Sequence, residues 1–188
     1  MALAVKDNAS TFGLGSMLLH WTVALAIIGM YPLGLYIETL SYYDPEYRTI
    51  PAWHKSIGML LLALLVVRIF WRTINRTPDP LPQPKAMLWI TRAVHRLLYL
   101  LPLITLVSGY MISTADGRPI SVFNWFEVPA LPAVMENQED LAGEIHYWTA
   151  TLMIALAGLH ALAALKHHFM DRDNTLIRML PISKEKSS

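Results

Sequence analysis

Crossing the hydrocarbon of a bilayer takes roughly 20 predominantly apolar residues in one helix, and this chain offers four such stretches, near residues 14–37, 53–72, 94–113 and 145–168. In 188 residues they leave room only for short connections and a polar tail over 169–188. The expected fold is an all-α membrane protein, a four-transmembrane-helix bundle forming one domain over 1–188. The charged fraction agrees: 15%, against about 25% for a soluble domain. Lipid is the solvent for most of the chain.

The first stretch does not read as a cleaved signal peptide. Asp7 offsets Lys6 in a weak leading region, the apolar run is long, and no clear small-residue cleavage site follows. Pro32 and Pro102 should bend the first and third helices, and Pro51 suits a helix start. Pro78 to Pro84 is an extended linker, since its prolines cannot continue a helix. The Phe-, Trp- and Pro-rich stretch from Ile120 to Pro132 reads as an interfacial cap.

Charge sets the expected topology. Around the second connection stand Arg68, Arg72, Arg76, Lys85, Arg92 and Arg96 against Asp79 alone, and the C-terminal region adds Lys166, Arg172, Arg178, Lys184 and Lys186. The first connection carries Glu38, Asp44 and Glu46 against Arg48. The third carries Asp116, Glu127, Glu136, Glu139, Asp140 and Glu144 against Arg118. The positive-inside bias then places both termini in the cytoplasm.

The absence of cysteine removes disulfides, iron–sulfur clusters, thiolate chemistry and covalent c-type haem attachment. No Lys/Arg-rich stripe points to nucleic acid. What remains is histidine, and an ionisable residue inside a membrane helix is costly enough to be a functional candidate by default.

His20 lies early in the first helix, His54 at the start of the second, and both His146 and His160 in the fourth. The last two are 14 positions apart, within about 40° of four full turns, so they share a face and stand about 21 Å apart along the axis. The topology sorts the four by depth, pairing His54 with His146 near the outer face and His20 with His160 near the inner one. A haem iron takes two axial ligands on opposite sides, and facing helices can present imidazoles that way. A lone membrane histidine can equally bridge helices or relay protons. Two depth-matched pairs favour b-type haem over that reading, and no nearby intramembrane carboxylate completes a zinc or copper site. Ala24, Gly58, Ala150 and Ala164 follow the four histidines by one turn and leave room beside the helix, although small residues are common at membrane interfaces anyway.

Other polar groups keep two readings each. His167 is seven positions past His160, on nearly the same face and about 10 Å closer to the cytoplasm; it suits proton supply to a quinone, or is simply an interfacial histidine. Arg68, Arg72, Arg92, His95 and Arg96 suit haem propionates, or set topology and snorkel. Lys55, beside His54, suits a small anion or a propionate, or is an ordinary interfacial lysine.

The motifs Leu19-His20-Trp21, Trp53-His54 with Gly58, Val66-Val67-Arg68 through Arg72, His95 through Tyr99, Gly109 and Glu144-Ile145-His146 follow one another in order. After them come Gly158-Leu159-His160-Ala161 through His167-His168, then Asp173-Asn174-Thr175-Leu176 and Arg178-Met179. With these the chain resembles the bacterial cytochrome b561 family of small dihaem quinone-linked cytochromes, including its superoxide oxidase members. The resemblance implies two haem b groups with His20, His54, His146 and His160 as ligands, and a ubiquinone site near the inner haem at His167. It also implies superoxide as electron donor on the outer side of a bacterial inner membrane.

The acidic outer rim opposes an approaching anion unless Lys55, Arg48 and Arg118 form a local positive spot. The rival expectation is a cytochrome b anchor subunit relaying electrons between quinone and a partner dehydrogenase, and a haem-free proton-conducting or transport bundle is a third. A homodimer stays open.

Overall fold

A computed structural model describes residues 4–181; Lys184 and Lys186, expected on the cytoplasmic side, lie outside the described residues. Four helices form the bundle: α1 (Leu14–Thr39), α2 (Thr49–Ile74), α3 (Lys85–Thr114) and α4 (Gln138–Phe169). All four are long and apolar enough to cross a membrane. A small antiparallel hairpin, β1 (Ile120–Val122) with β2 (Phe126–Val128), lies between α3 and α4. A single 3-10 turn, Ile177–Met179, follows α4.

Three helices begin earlier than hydropathy alone suggests, α2 at Thr49 rather than near 53. α3 starts at Lys85, directly after Pro84, rather than near 94, and α4 starts at Gln138 rather than near 145. Apolar length marks only the hydrocarbon crossing. Arg92, like Glu139, Asp140 and Glu144, is compatible with helix and continues it beyond the apolar stretch. Glu139 and Asp140 occupy the first turn of α4 and Lys166, His167 and His168 its last, which matches the helix dipole at both ends.

Most of the apolar surface faces outward, as lipid-facing helices require: Leu25, Ile28, Val66, Phe70, Leu152 and Leu159 are all exposed on the isolated chain. The interior mixes apolar side chains such as Leu61, Leu65, Leu101 and Met153 with small polar ones. α3 packs most extensively on α4, with Thr105, Ser108 and Thr114 buried and the Thr105 hydroxyl donating to Thr149 Oγ1 at 2.9 Å. Tyr31 and Thr151 hydroxyls meet across α1 and α4 at 3.3 Å. Without a hydrophobic driving force between helices, close approach and such bonds supply the association.

The ends of the bundle differ. At one end, the Phe123 amide donates to Ser56 Oγ at 3.1 Å and Ser56 donates to the Ser121 carbonyl at 3.3 Å, seating the hairpin on the start of α2; Val122 is fully buried there. At the other, basic end, Trp21 Nε1 donates to the Met179 carbonyl at 2.7 Å and Arg178 to the Asp79 carbonyl at 3.0 Å. The tail is thereby tied to α1 and to the proline-rich linker.

Candidate functional site: two histidine clusters at opposite ends

Near the hairpin end, α2 presents His54 and α4 presents His146, with ring centres 6.2 Å apart. His146 Nδ1 lies 2.8 Å from the Thr105 carbonyl. A carbonyl only accepts, so Nδ1 carries the ring proton and Nε2 keeps its lone pair. Close beside the ring stands Gly109, where a Cβ would sit 2.9 Å from His146 Cε1 and 3.1 Å from Nδ1. Any side chain at Gly109 would therefore displace the imidazole. Gly34 approaches His54 more loosely, a Cβ there reaching 3.4 Å from Cε1. His54 Nδ1 is buried with no hydrogen-bond partner among the described residues, an orphan that a buried polar atom rarely remains.

These observations fit a haem. A metal–imidazole bond is about 2 Å, so two imidazoles clamping one metal have ring centres roughly 6 Å apart. The observed pair has that spacing, the correct tautomer on His146 and a glycine beside the ring.

Toward the basic end, α1 contributes His20, α2 Arg68, α3 His95 and α4 His160. His95 and His160 meet edge to face with ring centres 5.4 Å apart. Arg68 donates through one Nη to the Leu19 carbonyl at 3.1 Å and through the other to His20 Nδ1 at 2.9 Å, and its guanidinium lies over the Tyr99 ring. His20, His95, His160 and Arg68 are within electrostatic reach of one another. With Nδ1 accepting from Arg68, neutral His20 carries its proton on Nε2. To offer an Nε2 lone pair to iron, His20 would need that proton on Nδ1 and would therefore have to be released from the Arg68 contact. Arg92 stands over the Trp89 ring instead.

Beyond this cluster, His167 Nδ1 lies 3.0 Å from Asp171 Oδ2 and 3.0 Å from Asp173 Oδ2. Lys166 also pairs with Asp171, at 2.7 Å. Burial pushes the Asp173 carboxyl up, but the Thr175 hydroxyl and amide together with His167 outweigh it and hold the group below the usual carboxylate range. At the hairpin end Lys55 is exposed and makes no ion pair among the described residues. Arg118 is bound to Asp116 through hydrogen bond and ion pair. The Arg118 contact depresses the Asp116 carboxyl and raises its own guanidinium. Of the three cations expected to form a positive spot, Arg118 is thus locally neutralised.

Comparison with known proteins decides the family. The family described as prokaryotic cytochrome b561 matches residues 11–181. The chain is 50% identical over 179 residues to cytochrome b561 homolog 2 of Escherichia coli, with 95% of each chain covered. The chain belongs to the prokaryotic cytochrome b561 family. More distant members include a Yersinia pestis protein named probable superoxide oxidase CybB, 32% identical over 87% of this chain and 92% of its own. Cytochrome b561 homolog 1 of Escherichia coli is 31% identical over 88% and 94%. Membership in the cytochrome b561 family makes this a multi-pass bacterial inner-membrane protein with a role in electron transport, and it implies haem b.

The sequence singled out the four paired histidines, Arg68, His95, Lys55 and His167. It gave no sign that Thr105 orients His146, that His95 packs on His160, or that two carboxylates reach His167. The first two contacts join different helices, and only the third is local, made by the turn past the end of α4, which brings Asp171 and Asp173 to His167.

Proposed function

We propose that this cytochrome takes electrons from superoxide at the hairpin end and delivers them to ubiquinone at the basic end, across the inner membrane. In this reading His54 and His146 hold one haem b, His20 and His160 hold a second, and Arg68 and His95 attend the inner one. The basic end is cytoplasmic by the charge bias of its connections. When bound, haem supplies one-electron redox chemistry at each of the two depths.

The observation that carries the reading is the outer pair: two imidazoles from different helices at 6.2 Å, with His146 Nδ1 committed to the Thr105 carbonyl. Orientation of a ligating histidine through its second nitrogen is how proteins fix tautomer and ring plane at metals. The chain's remaining tasks are electrostatic and protonic. Lys55 is the cation nearest His54 in sequence and offers a superoxide anion a partner on an otherwise acidic rim, since Arg118 is spoken for by Asp116. Two superoxide anions each lose one electron to become dioxygen, and ubiquinone gains two electrons and two cytoplasmic protons to become ubiquinol. His167, on the His160 side of α4, supplies those protons. The Yersinia relative named for superoxide oxidation supports the choice of donor.

Purified protein in liposomes containing ubiquinone, exposed to enzymatically generated superoxide, tests this. One ubiquinol should form per two superoxide consumed, and His167→Ala should slow quinol formation by about a hundredfold or more, within the range for loss of a general acid. Superoxide consumed at only its spontaneous rate, with no quinol formed, would contradict the proposal. So would full activity in His167→Ala, for the quinone end.

A further inference from the structure

Directly past α4 the chain reverses and returns two carboxylates to one imidazole. Arg172 adopts a left-handed φ of 53°, uncommon for a residue with a Cβ, and the Asp173 amide then donates to the His167 carbonyl at 3.0 Å. Asp173 is itself fixed, its Oδ1 accepting from the Thr175 amide at 2.8 Å. That leaves Asp173 Oδ2 and Asp171 Oδ2 each 3.0 Å from His167 Nδ1. The nitrogen is buried, and neither oxygen lies along a linear hydrogen bond from it. The ring is held by charge from two sides. The next turn is anchored as well, by Trp21 to the Met179 carbonyl and by Arg178 to the Asp79 carbonyl.

From this geometry we propose that Asp171 and Asp173 are positioning residues for His167: they fix its proton on Nδ1 and so dedicate Nε2 to exchange with the quinone. The assignment rests on the reading of His167 as the proton donor to ubiquinone. A bare nitrogen lone pair facing two anionic oxygens at 3.0 Å would be repelled, whereas an N–H is attracted to both. With the proton committed there, Nε2 points away from the carboxylates. It takes a proton from cytoplasmic water, gives it to a quinone oxygen as that molecule gains an electron, and returns to its lone-pair form. Two such cycles supply the two protons of one quinol. Lys166, paired with Asp171, keeps that carboxylate from carrying an uncompensated charge. A histidine without the clamp would divide itself between tautomers, and the one with its proton fixed on Nε2 and its lone pair facing the tail would present the wrong nitrogen for uptake. Serine proteases use the same device, a buried aspartate holding the catalytic histidine in one tautomer.

The test uses the full-length haem-loaded protein. In Asp171→Ala/Asp173→Ala, kcat for quinone reduction should fall about tenfold or more, while the KM for ubiquinone and the haem spectrum stay near wild type. Asp173→Glu on the Asp171→Ala background should recover part of the loss. The second readout is independent of turnover: 15N NMR of histidine-labelled protein, with His167→Gln identifying the signal, should show the His167 proton on Nδ1 in wild type and a mixture of tautomers in the double variant. If the double variant does not assemble, the single variants carry the same comparison. Wild-type kcat together with an unchanged tautomer overturns the clamp. If His167→Gln itself retains full quinone reduction, the quinone assignment fails instead; if His167→Gln is slow and the aspartate variants are not, only the clamp fails.

Discussion

His54→Ala and His146→Ala are each expected to reduce the haem b content of the purified protein from two per chain to one, with the remaining haem unaltered in its spectrum. The effect is large because the site would lose one of its two imidazoles, and the groups closest to the His146 ring, the Thr105 carbonyl and Gly109, cannot replace one. The two variants should lose the same haem, since the two rings face one another at 6.2 Å. Pyridine haemochrome quantification against protein concentration measures the ratio. Two haems retained in either variant would detach that histidine from ligation.

The second large effect separates the two ends. In His20→Ala or His160→Ala the outer haem should persist and still be reduced by the donor, while quinol formation falls by roughly two orders of magnitude or more, the size of effect expected when a reacting group loses its partner. The electron would then stop about 21 Å short of the inner level, the rise between His146 and His160 along α4. Stopped-flow absorbance at the haem band, followed together with quinol production, distinguishes this from a general loss of assembly. A variant that loses both haems together would instead mean that the inner cluster is structural. His95 gives a useful contrast. It lies 5.4 Å from the His160 ring, so His95→Ala should disturb the inner haem's spectrum without removing it if His20 and His160 are the ligands.

Much of this is readable from residue order. Four apolar lengths give four helices, and the periodicity of α4 puts His146 and His160 on one face without any tertiary information. Charge distribution between connections leads to the expectation that His54 meets His146, which the structure brings together at 6.2 Å, and that His20 pairs with His160, whose ring contact in the structure is with His95. What sequence does not reach is set by contacts between segments far apart in the chain. The Thr105 carbonyl is a backbone atom, present at every position, and only the register of α3 against α4 makes it the one that orients His146. Arg68 can be marked as deep in its helix, yet its hold on His20 depends on the crossing of α1 and α2. The hairpin reads in sequence only as an interfacial cap, because strands of three residues carry too little alternation to separate from a loop. The early starts of α3 and α4 escape hydropathy for a simpler reason: it marks where lipid begins, while a helix continues into the headgroups wherever its residues allow.

The most direct measurement is the haem stoichiometry and ligation of the wild-type protein, by reduced-minus-oxidised spectroscopy with haem quantification and low-temperature electron paramagnetic resonance. Two low-spin haem b per chain, both with bis-imidazole signatures, is the predicted result. A single haem, or a high-spin five-coordinate signal, would contradict the pairing of His54 with His146 and of His20 with His160.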